Sequence, residues 1–472
     1  MEKTPDNTSA QERSALFVAT LTSFMGPFMI SSVNVALPAI QNELQMDAVQ
    51  LSWISTAYLL AVAVGLLPSG KIADIHGRKK VFGAGLAVYT VGAVAAVFAE
   101  SGAVLIFCRV LQGLGAAMFV STGMAIITSI FPPSRRGKVI GIYVAAVYVG
   151  LSVGPFAGGY ITHYLGWRMI FLLMLPMGAL SIWLTLKYLV GEWYGDRDQQ
   201  LDIAGCLLYG FSIMGLVYGA TRLPSALGIV LICSGCIGSV FFIWHQGRSK
   251  HPVFEVELFA VNKVFAYSSY AALLNYSATF GVTFLVSLYL QFIKGLSPQM
   301  AGSVLMAQPV VMATLSPLAG RLSDRIEPRL LATSGMAITV LGVFLFSRLD
   351  AATPIGLIIA NLILLGTGFA LFSSPNMSAM MGAVEKRHYG LASGLVATMR
   401  LLGQMFSMAV ATVALSLLVG REAIGPDNYD RFLLTIRVVF MISASFCLVG
   451  TYFSWYRGRM LKSSAKNSVQ SS

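Results

Sequence analysis

The residues of this sequence that could do chemistry are polar side chains inside long apolar runs. Arg109 stands in the apolar stretch 105–115, three residues before Gln112. An arginine at the centre of a bilayer costs about 2.5–3.5 kcal/mol on insertion scales, so such a residue is expected to face the interior of a helix bundle or a water-filled cavity. Arg109 is therefore a candidate functional residue, and a structural hydrogen bond to a neighbouring helix is the alternative.

Other polar and aromatic residues lie in further apolar runs and could line a pathway through the protein. Taken singly, each more often makes a hydrogen bond between helices than a contact with substrate, whereas as a group they are candidates for a binding cavity. These candidates are Asn34, Tyr148, Asn275, Gln291, Gln308, Asn361, Asn376, Arg400 and Gln404.

No set of residues is spaced for catalysis or metal binding. The five histidines are scattered among loops and helix ends, without carboxylates at metal-ligand or Ser/His spacing. No Walker-type phosphate loop occurs, which argues against ATP as the energy source. Cys233 and Cys236 form a CxxC, but they stand in an apolar run and are interpreted as small residues at a helix contact. The sequence predicts neither an enzyme nor a cofactor or metal site.

The elements that position these residues are membrane-spanning helices. The chain has 472 residues, 56% of them hydrophobic and 11% charged, whereas soluble proteins carry about 25% charged residues. A helix needs about 20 apolar residues to cross the hydrocarbon layer, and the apolar runs reach that length. The sequence predicts an all-α polytopic membrane protein with spans at 15–38, 50–72, 79–99, 103–131, 137–161, 167–190, 201–221, 224–245, 264–292, 298–322, 329–347, 353–376, 388–419 and 432–456.

The net charge of +12 follows the positive-inside rule and does not indicate a nucleic-acid partner. With the N-terminus inside, 23 of the 32 lysines and arginines lie in cytoplasmic segments, and 7 lie in outside segments and adjoining helix ends. Arg109 and Arg400 lie within spans. Because basic residues favour the cytoplasmic side, we expect a multi-pass protein of the cell (inner or plasma) membrane with both termini in the cytoplasm.

A polar loop occurs twice, at an offset of 250 residues. The segment 70–78 closes the second span, and the segment 320–329 closes the tenth. Two halves of like topology are typical of duplicated transporter folds. The Asp and Arg of each loop could latch the halves together on the cytoplasmic side, and topology-setting charge is the alternative. The predicted gating residues are Gly70, Asp74, Gly77 and Arg78 in the first copy and Gly320, Asp324 and Arg325 in the second.

The fifth span carries a glycine stripe. Its glycines recur every four residues, so they lie on one helix face and permit close contact between backbones. A proline inside the same stretch removes a backbone hydrogen bond and is expected to kink the helix. These residues, which we also assign to conformational change, are Gly150, Gly154, Pro155, Gly158 and Gly159.

Together, the repeated loop, the stretch from Arg109 to Gly113 and the glycine-proline stretch resemble the three best-known motifs of the major facilitator superfamily. The span count and the segments 32–38, 167–171, 201–205 and 289–291 resemble its fourteen-span drug:proton antiporters. The resemblance implies an N-terminal tail at 1–14, a six-helix half at 15–190, an inserted helix pair at 201–246, a second six-helix half at 264–457 and a C-terminal tail at 458–472. Both tails would be cytoplasmic.

The resemblance also implies a function. It predicts a monomeric secondary transporter with a cavity between its halves, which expels small amphipathic compounds across the lipid bilayer in exchange for protons by alternating access. Arg109 and Gln112 would then take part in coupling. Asp74 and Arg78 would act in gating.

One position departs from the family pattern. Members usually carry an aspartate in the first span, and this sequence has Met29 near that position. Coupling would then depend on boundary carboxylates such as Asp74, Asp202 or Asp324. Positive charge from Arg109 and Arg400 without a carboxylate disfavours organic cations by Coulomb repulsion. A dedicated carrier of an anionic metabolite or lipid-like molecule, with different coupling, is the alternative function.

Overall fold

The computed structural model describes residues 5–195, 200–254, 256–323, 325–384 and 389–458, and within these ranges the protein is all helical. Fourteen helices in the described part are long and apolar enough to cross a membrane, as predicted. The helices are α1 Pro5–Leu44, α2 Ala48–His76, α3 Arg78–Val97, α4 Gly102–Ile130, α5 Pro133–Leu165, α6 Arg168–Leu172, α7 Met174–Tyr188, α8 Ile203–Thr221, α9 Ala226–Gln246, α10 Val256–Val261, α11 Lys263–Leu288, α12 Pro298–Leu305, α13 Ala307–Ser323, α14 Pro328–Phe346, α15 Ile355–Gly382, α16 Tyr389–Leu418 and α17 Tyr429–Tyr456.

The helices form two six-span halves and an inserted pair. Helices α1 to α7 make the first half, with its sixth span broken at Leu173 into α6 and α7. Helices α11 to α17 make the second half, with its second span broken at Met306 into α12 and α13. Helices α8 and α9 are the inserted pair. We call the side with the start of α1 and the end of α17 the terminus side, and the opposite side the distal side.

Polar side chains mark where several helices begin. Asp47 and Gln50 form a reciprocal capping box at the start of α2. Ser101, Asp202 and Asn262 each accept a backbone N–H in the first turn of α4, α8 and α11. These caps satisfy donors that would otherwise be unpaired near the edge of the membrane.

The 250-residue repeat seen in the loops extends to the helix packing. A Cβ atom on Gly85 of α3 would lie 2.8 Å from the carbonyl oxygen of Gly115 in α4. The pair Gly335 and Gly368 repeats this contact between α14 and α15, at 2.6 Å. Both helix pairs therefore approach too closely to admit a side chain at the crossing.

The inserted pair leans on both halves. The Tyr209 hydroxyl of α8 donates to the carbonyl of Ala63 in α2, at 3.0 Å. Toward the distal side, Ser416 of α16 donates to the carbonyl of Thr221, at 3.4 Å. Helix α9 leaves most of its apolar side chains exposed, including Val230 and Val240, which suits contact with lipid.

Candidate functional site

The two halves are joined by hydrogen bonds on the distal side. Ser287 of α11 donates to the carbonyl of Asn34 at 2.9 Å, and Gln291 donates to that of Val35 at 2.9 Å. The hydroxyls of Thr56 in α2 and Thr412 in α16 lie 3.0 Å apart. These contacts close the distal side between α1 and α2 of the first half and α11 and α16 of the second.

A cavity lies at mid-membrane depth on the terminus side of these contacts. It is a partly open cavity with about 630 Å³ of unfilled space, including space continuous with solvent. Both halves contribute to its wall. The lining residues are Ile30, Ser31, Asn34, Leu151, Pro155, Tyr276, Thr279, Phe280, Thr283, Leu305, Gln308, Pro309, Met312, Phe369 and Gln404.

The wall of the cavity is apolar with a few amides and hydroxyls. Three of the predicted polar candidates, Asn34, Gln308 and Gln404, reach it from α1, α13 and α16. The Asn34 carboxamide oxygen accepts a hydrogen bond from Ser55 of α2 at 2.8 Å, which orients that side chain. An apolar wall with sparse, convergent polar groups is the usual chemistry of a small-molecule site.

Three of the other candidates lie away from the cavity wall. Asn275 donates to the sulfur of Met336 at 3.0 Å, between α11 and α14. Asn361 donates to the carbonyl of Gly342 at 2.9 Å, between α15 and α14. Gln291 is part of the distal closure described above. All three residues therefore make hydrogen bonds between packed helices. This is the alternative to substrate contact that the sequence left open.

Helices α1 and α5 cross through the glycine stripe. A Cβ atom on Gly150 would lie 2.6 Å from the carbonyl oxygen of Phe24, and one on Gly158 would lie 2.5 Å from the Cα of Ser32. The Ser32 hydroxyl donates to the carbonyl of Gly154 at 2.9 Å, so a hydrogen bond to the backbone joins the two helices where the glycine has no side chain. Helix α5 is continuous through Pro155.

Pro155 and Gly159 of the same helix face the second half. The carbonyl of Pro155 contacts Gly302 of α12, and Gly159 lies against the carbonyl of Pro298. A Cβ on either glycine would overlap the opposing backbone. This crossing of α5 and α12 is a place where the halves touch backbone to backbone.

Arg109 lies in the interior of the first half and not at the cavity wall. Its guanidinium donates to the carbonyl of Ile54 at 3.1 Å and to the amide oxygen of Gln112 at 2.8 Å. The charge also lies 4.2 Å from the ring centre of Tyr58. The side chain is fully buried, and among the described residues neither its Nη2 nor the Gln112 Nε2 has a hydrogen-bond partner. The hydrogen bond from Arg109 to α2 is the structural contact with a neighbouring helix that the sequence analysis named as the alternative. The role of Arg109 in coupling stays a prediction.

A group of hydroxyls and one charge stand beside the cavity. The hydroxyls of Tyr148 in α5 and Ser373 in α15 lie 3.1 Å apart across the two halves, close to the lining residue Tyr276. The charge of Arg400 acts on Tyr276 from the same half and on Tyr143 from the other. Arg400 therefore lies between the halves, one helical turn from Gln404.

Comparison with known proteins identifies the family. The family model described as Major Facilitator Superfamily matches residues 16–244 and 268–471. The chain belongs to the Major Facilitator Superfamily. Among relatives, it is 32% identical over 426 residues to the multidrug resistance protein Stp of Mycobacterium tuberculosis, covering 87% of this chain and 79% of that protein. It is also 28% identical to the riboflavin transporter RibZ of Clostridioides difficile, covering 92% and 95%.

Solved structures agree on the fold. A bacterial homologue of the human lysosomal transporter Spinster, solved in an inward-facing and unoccupied conformation, matches with a TM-score of 0.66 and 16% identity, over 96% of this chain and 98% of that one. A D-xylose–proton symporter matches with a TM-score of 0.68 and 14% identity, over 94% and 97%. The predicted major facilitator fold and the resemblance to its multidrug efflux members are confirmed.

The first copy of the superfamily's polar loop is held within its own half. Arg78 pairs with Asp74 at 2.8 Å and donates to Ser129 of α4 at 2.9 Å. Gly77 has a φ of 116°, a value that favours glycine. The Glu192 carboxylate accepts the N–H of Lys79 at 2.6 Å just beyond the loop.

The second copy is described in part. A Cβ on Gly320 would lie 2.8 Å from Ser374 of α15, which mirrors the approach of Gly70 to Ser121 of α4. Arg325 lies in an exposed turn after α13. Asp324 lies outside the described residues. A latch between the halves at these loops remains a prediction.

Sequence reasoning missed several residues of the cavity wall and one buried arginine. The sequence carries no signal that singles out Thr279, Phe280 and Thr283 of α11, because hydroxyls and phenylalanines are common in membrane helices. Arg457 counted as a topology charge, yet it is 2% exposed and donates to the Asn376 carboxamide at 2.8 Å. Its burial lowers its pKa to about 10.

Proposed function

We propose that this protein exports amphipathic organic compounds across the cell membrane by alternating access, in exchange for protons. The observation that carries the proposal is the largely apolar cavity between the halves, whose amide groups come from Asn34, Gln308 and Gln404 and whose other polar groups are hydroxyls. A cavity of this chemistry binds molecules that have a large apolar body and a small number of hydrogen-bonding groups.

The orientation assigns a direction to the cycle. The positive-inside count predicts that the terminus side faces the cytoplasm. With that orientation, the hydrogen bonds of the distal side would close the cavity against the exterior. In the opposite state those bonds would break, and the halves would close on the terminus side instead. The backbone contact between α5 and α12 could be the pivot of this motion, because its glycines would keep the two helices close in both states.

Similarity to known transporters supports the substrate class. The relatives include the multidrug resistance protein Stp and the drug efflux pump JefA, which is 28% identical to this chain over 404 residues. The riboflavin transporter RibZ is a second kind of relative. An apolar wall is explained more directly by export of a broad range of amphipathic compounds than by recognition of a single polar solute.

The proton step needs a titratable group. No carboxylate is among the residues that line the cavity. Carboxylates at the ends of spans on the terminus side include Asp74, beside Arg78, and Asp202, beside His245. We infer that proton exchange passes through this boundary region and not through the cavity wall.

Transport is tested in cells that lack their main efflux pumps. Cells that express the protein should accumulate less of at least some fluorescent dyes or antibiotics than cells with an empty vector. A protonophore should abolish the difference. In inverted vesicles, addition of an exported compound should release protons from the acidified lumen. Unchanged accumulation across a broad panel, with no effect of the protonophore, would overturn the proposal.

A dedicated carrier of an anionic metabolite is the second candidate. The observation that favours it is the charge of Arg400 between the halves, with no carboxylate among the cavity-lining residues. The breadth of the substrate panel separates the two candidates. A dedicated carrier would move one compound or a narrow series and leave unrelated dyes untouched.

A further inference from the structure

Arg400 places a positive charge at the edge of the cavity. It lies in α16 one turn before the lining residue Gln404, and its side chain is half-buried. Within the described residues, no hydrogen bond or ion pair engages its guanidinium. A cation removed from bulk water without a counter-ion costs free energy, and a bound anion would recover that cost.

The surroundings of Arg400 are hydroxyls on one side and apolar groups on the other. Its charge acts on the hydroxyls of Tyr143 and Tyr276. Tyr148 and Ser373 place two further hydroxyls beside Tyr276. Hydroxyls donate to the oxygens of carboxylate, sulfonate or phosphate groups, and an arginine binds the same oxygens with two parallel N–H groups.

The rest of the cavity fits an apolar body. Phe280 and Leu151 form the wall on the distal side of Tyr276 and Tyr148. Met312 and Phe369 complete it, and the ring centre of Phe369 lies 5.4 Å from that of Tyr276. Aromatic rings and a methionine accept planar or flexible apolar groups without a fixed shape. The charge and the apolar wall are therefore arranged in sequence along the cavity.

We propose that Arg400 is the headgroup subsite of the cavity and that the preferred ligands are amphipathic organic anions. The anionic group would lie at Arg400 and the neighbouring tyrosine hydroxyls, and the apolar body would extend toward Phe280 and Phe369. This inference rests on the proposed function, because it names the substrate class of the same cavity. It also explains why the wall needs no carboxylate, the group that would attract organic cations.

The test uses ligand pairs that share a body and differ in charge. Naphthalene-1-acetate and naphthalene-1-acetamide form one pair, and dodecanoate and dodecanamide form another. Binding is measured on the purified full-length protein in phosphatidylcholine nanodiscs. We expect each acid to bind at least about tenfold more tightly than its amide, the size of effect that one partly screened charge contact produces.

Variants at Arg400 assign the preference to one residue. Arg400→Gln should bring the acid and the amide within about twofold of each other, mainly by weakening the acid. Arg400→Lys should keep part of the preference, because the charge remains but the two-fold hydrogen bonding does not. Arg348→Gln, at an exposed arginine of the same half, is the matched control and should behave as the wild type. Thermal stability of each variant shows that it is folded.

Two results would overturn the inference. One is failure of the acids to bind more tightly than the amides in the wild type, including failure of every acid to bind. The other is a preference that survives in Arg400→Gln. Efflux from cells is measured separately, so that failure of the subsite and failure of the proposed function can be told apart. Export of neutral compounds with no charge preference would reject the subsite and leave the proposed function standing, whereas Arg400-dependent binding without any efflux would reject the function alone.

Discussion

The two halves repeat one helix packing but bury different chemistry in it. Gly113 lies against the carbonyl of Tyr58 in the first half, as Gly366 lies against that of Gln308 in the second, at 2.5 Å for an added Cβ in both. Tyr58 packs against the buried charge of Arg109, whereas Gln308 lines the cavity. The position equivalent to Arg109, 253 residues later, is the buried apolar Leu362.

The second half buries its arginine elsewhere. Arg457 follows the end of α17 and donates to Asn376 of α15 and Ser268 of α11. It joins three helices at the terminus side, while Arg109 is fully buried within its span. The comparison teaches that duplication preserved the backbone crossings, where glycines leave no freedom, and that side chains between the crossings diverged in function.

Replacing Arg109 by leucine would give the first half the chemistry of the second. Loss of a charged hydrogen bond costs about 1.5–3 kcal/mol, and we expect transport against a gradient to fall by about 10- to 100-fold. If Arg109 acts in coupling, energy-independent exchange of labelled for unlabelled substrate should persist. Arg348→Leu, at an exposed position, serves as the control. Loss of both activities together with lost folding would assign Arg109 a structural role.

Arg457→Leu tests the other arginine. Removing it leaves Asn376 and Ser268 without their shared donor, so we expect thermal stability in detergent to fall by the equivalent of about 2–4 kcal/mol. Transport per folded molecule should change by less than about threefold, because Arg457 is not among the cavity-lining residues. A selective loss of transport with normal stability would contradict this division of roles.

The two halves differ at the glycine stripe of α5, because the position of Gly154 is taken by a serine in the second half. A Cβ on Gly154 would overlap Ser31, so Gly154→Ala should destabilise the protein by about 1–3 kcal/mol. Gly141→Ala lies in the same helix, where a Cβ meets nothing within 4 Å, and should be nearly neutral. In the second half the equivalent residue is Ser407, which accepts the N–H of Gly281 at 2.8 Å. Ser407→Ala should cost about 1 kcal/mol.

The distal closure depends on hydrogen bonds made by the second half to the backbone of the first. The double variant Ser287→Ala and Gln291→Ala removes both donors, each of which contributes about 1 kcal/mol, so the open state should gain about 30-fold relative to the closed state. Spin labels at Gln45 and Glu422, both exposed on the distal side, would report the distance change. Ser234→Ala, at an exposed serine of α9, should leave the distance unchanged.

The inserted pair has no counterpart in either half, and one carboxylate stabilises its start. The Asp202 carboxylate accepts from His245, Gln246 and the N–H of Gly205. Burial acts to raise its pKa, but these donors outweigh it and hold the pKa below the usual value of 3.8. The ionised carboxylate therefore stabilises the fold above that value.

Asp202→Asn should lower stability at pH 7 by about 1–2 kcal/mol. The difference from the wild type should shrink as the pH falls through the lowered pKa, because the native carboxylate is then protonated as well. Melting curves between pH 7 and pH 3 check this. A difference that persists unchanged at low pH would show that the carboxylate charge is not what stabilises the start of α8.

The span count and the repeat could be predicted from the sequence, because hydropathy and charge act locally along the chain. Fourteen apolar runs and the recurrence at 250 residues require no knowledge of neighbours. The spacing of the glycines also predicted a close backbone contact at α5, since a four-residue glycine spacing creates one smooth face in any helix. That α1 is the helix in contact came from the structure.

The cavity wall could not be predicted in full. Asn34, Gln308 and Gln404 line it, but Asn275 and Asn361, which are the same residue type in similar runs, bond between helices instead. Which side of a helix faces the cavity depends on how that helix is rotated against its neighbours, and hydropathy does not encode this when all sides are apolar.

What the sequence determined by itself is therefore the class of the protein, its spans and the positions of its charges along the chain. Only the tertiary structure decided that Arg109 is fully enclosed, that Arg457 is buried at a helix end and that Arg400 faces the partner half. All three are arginines near apolar sequence, and they differ in what the other helices place around them. That difference arises from contacts between residues far apart in the chain, which local composition does not determine.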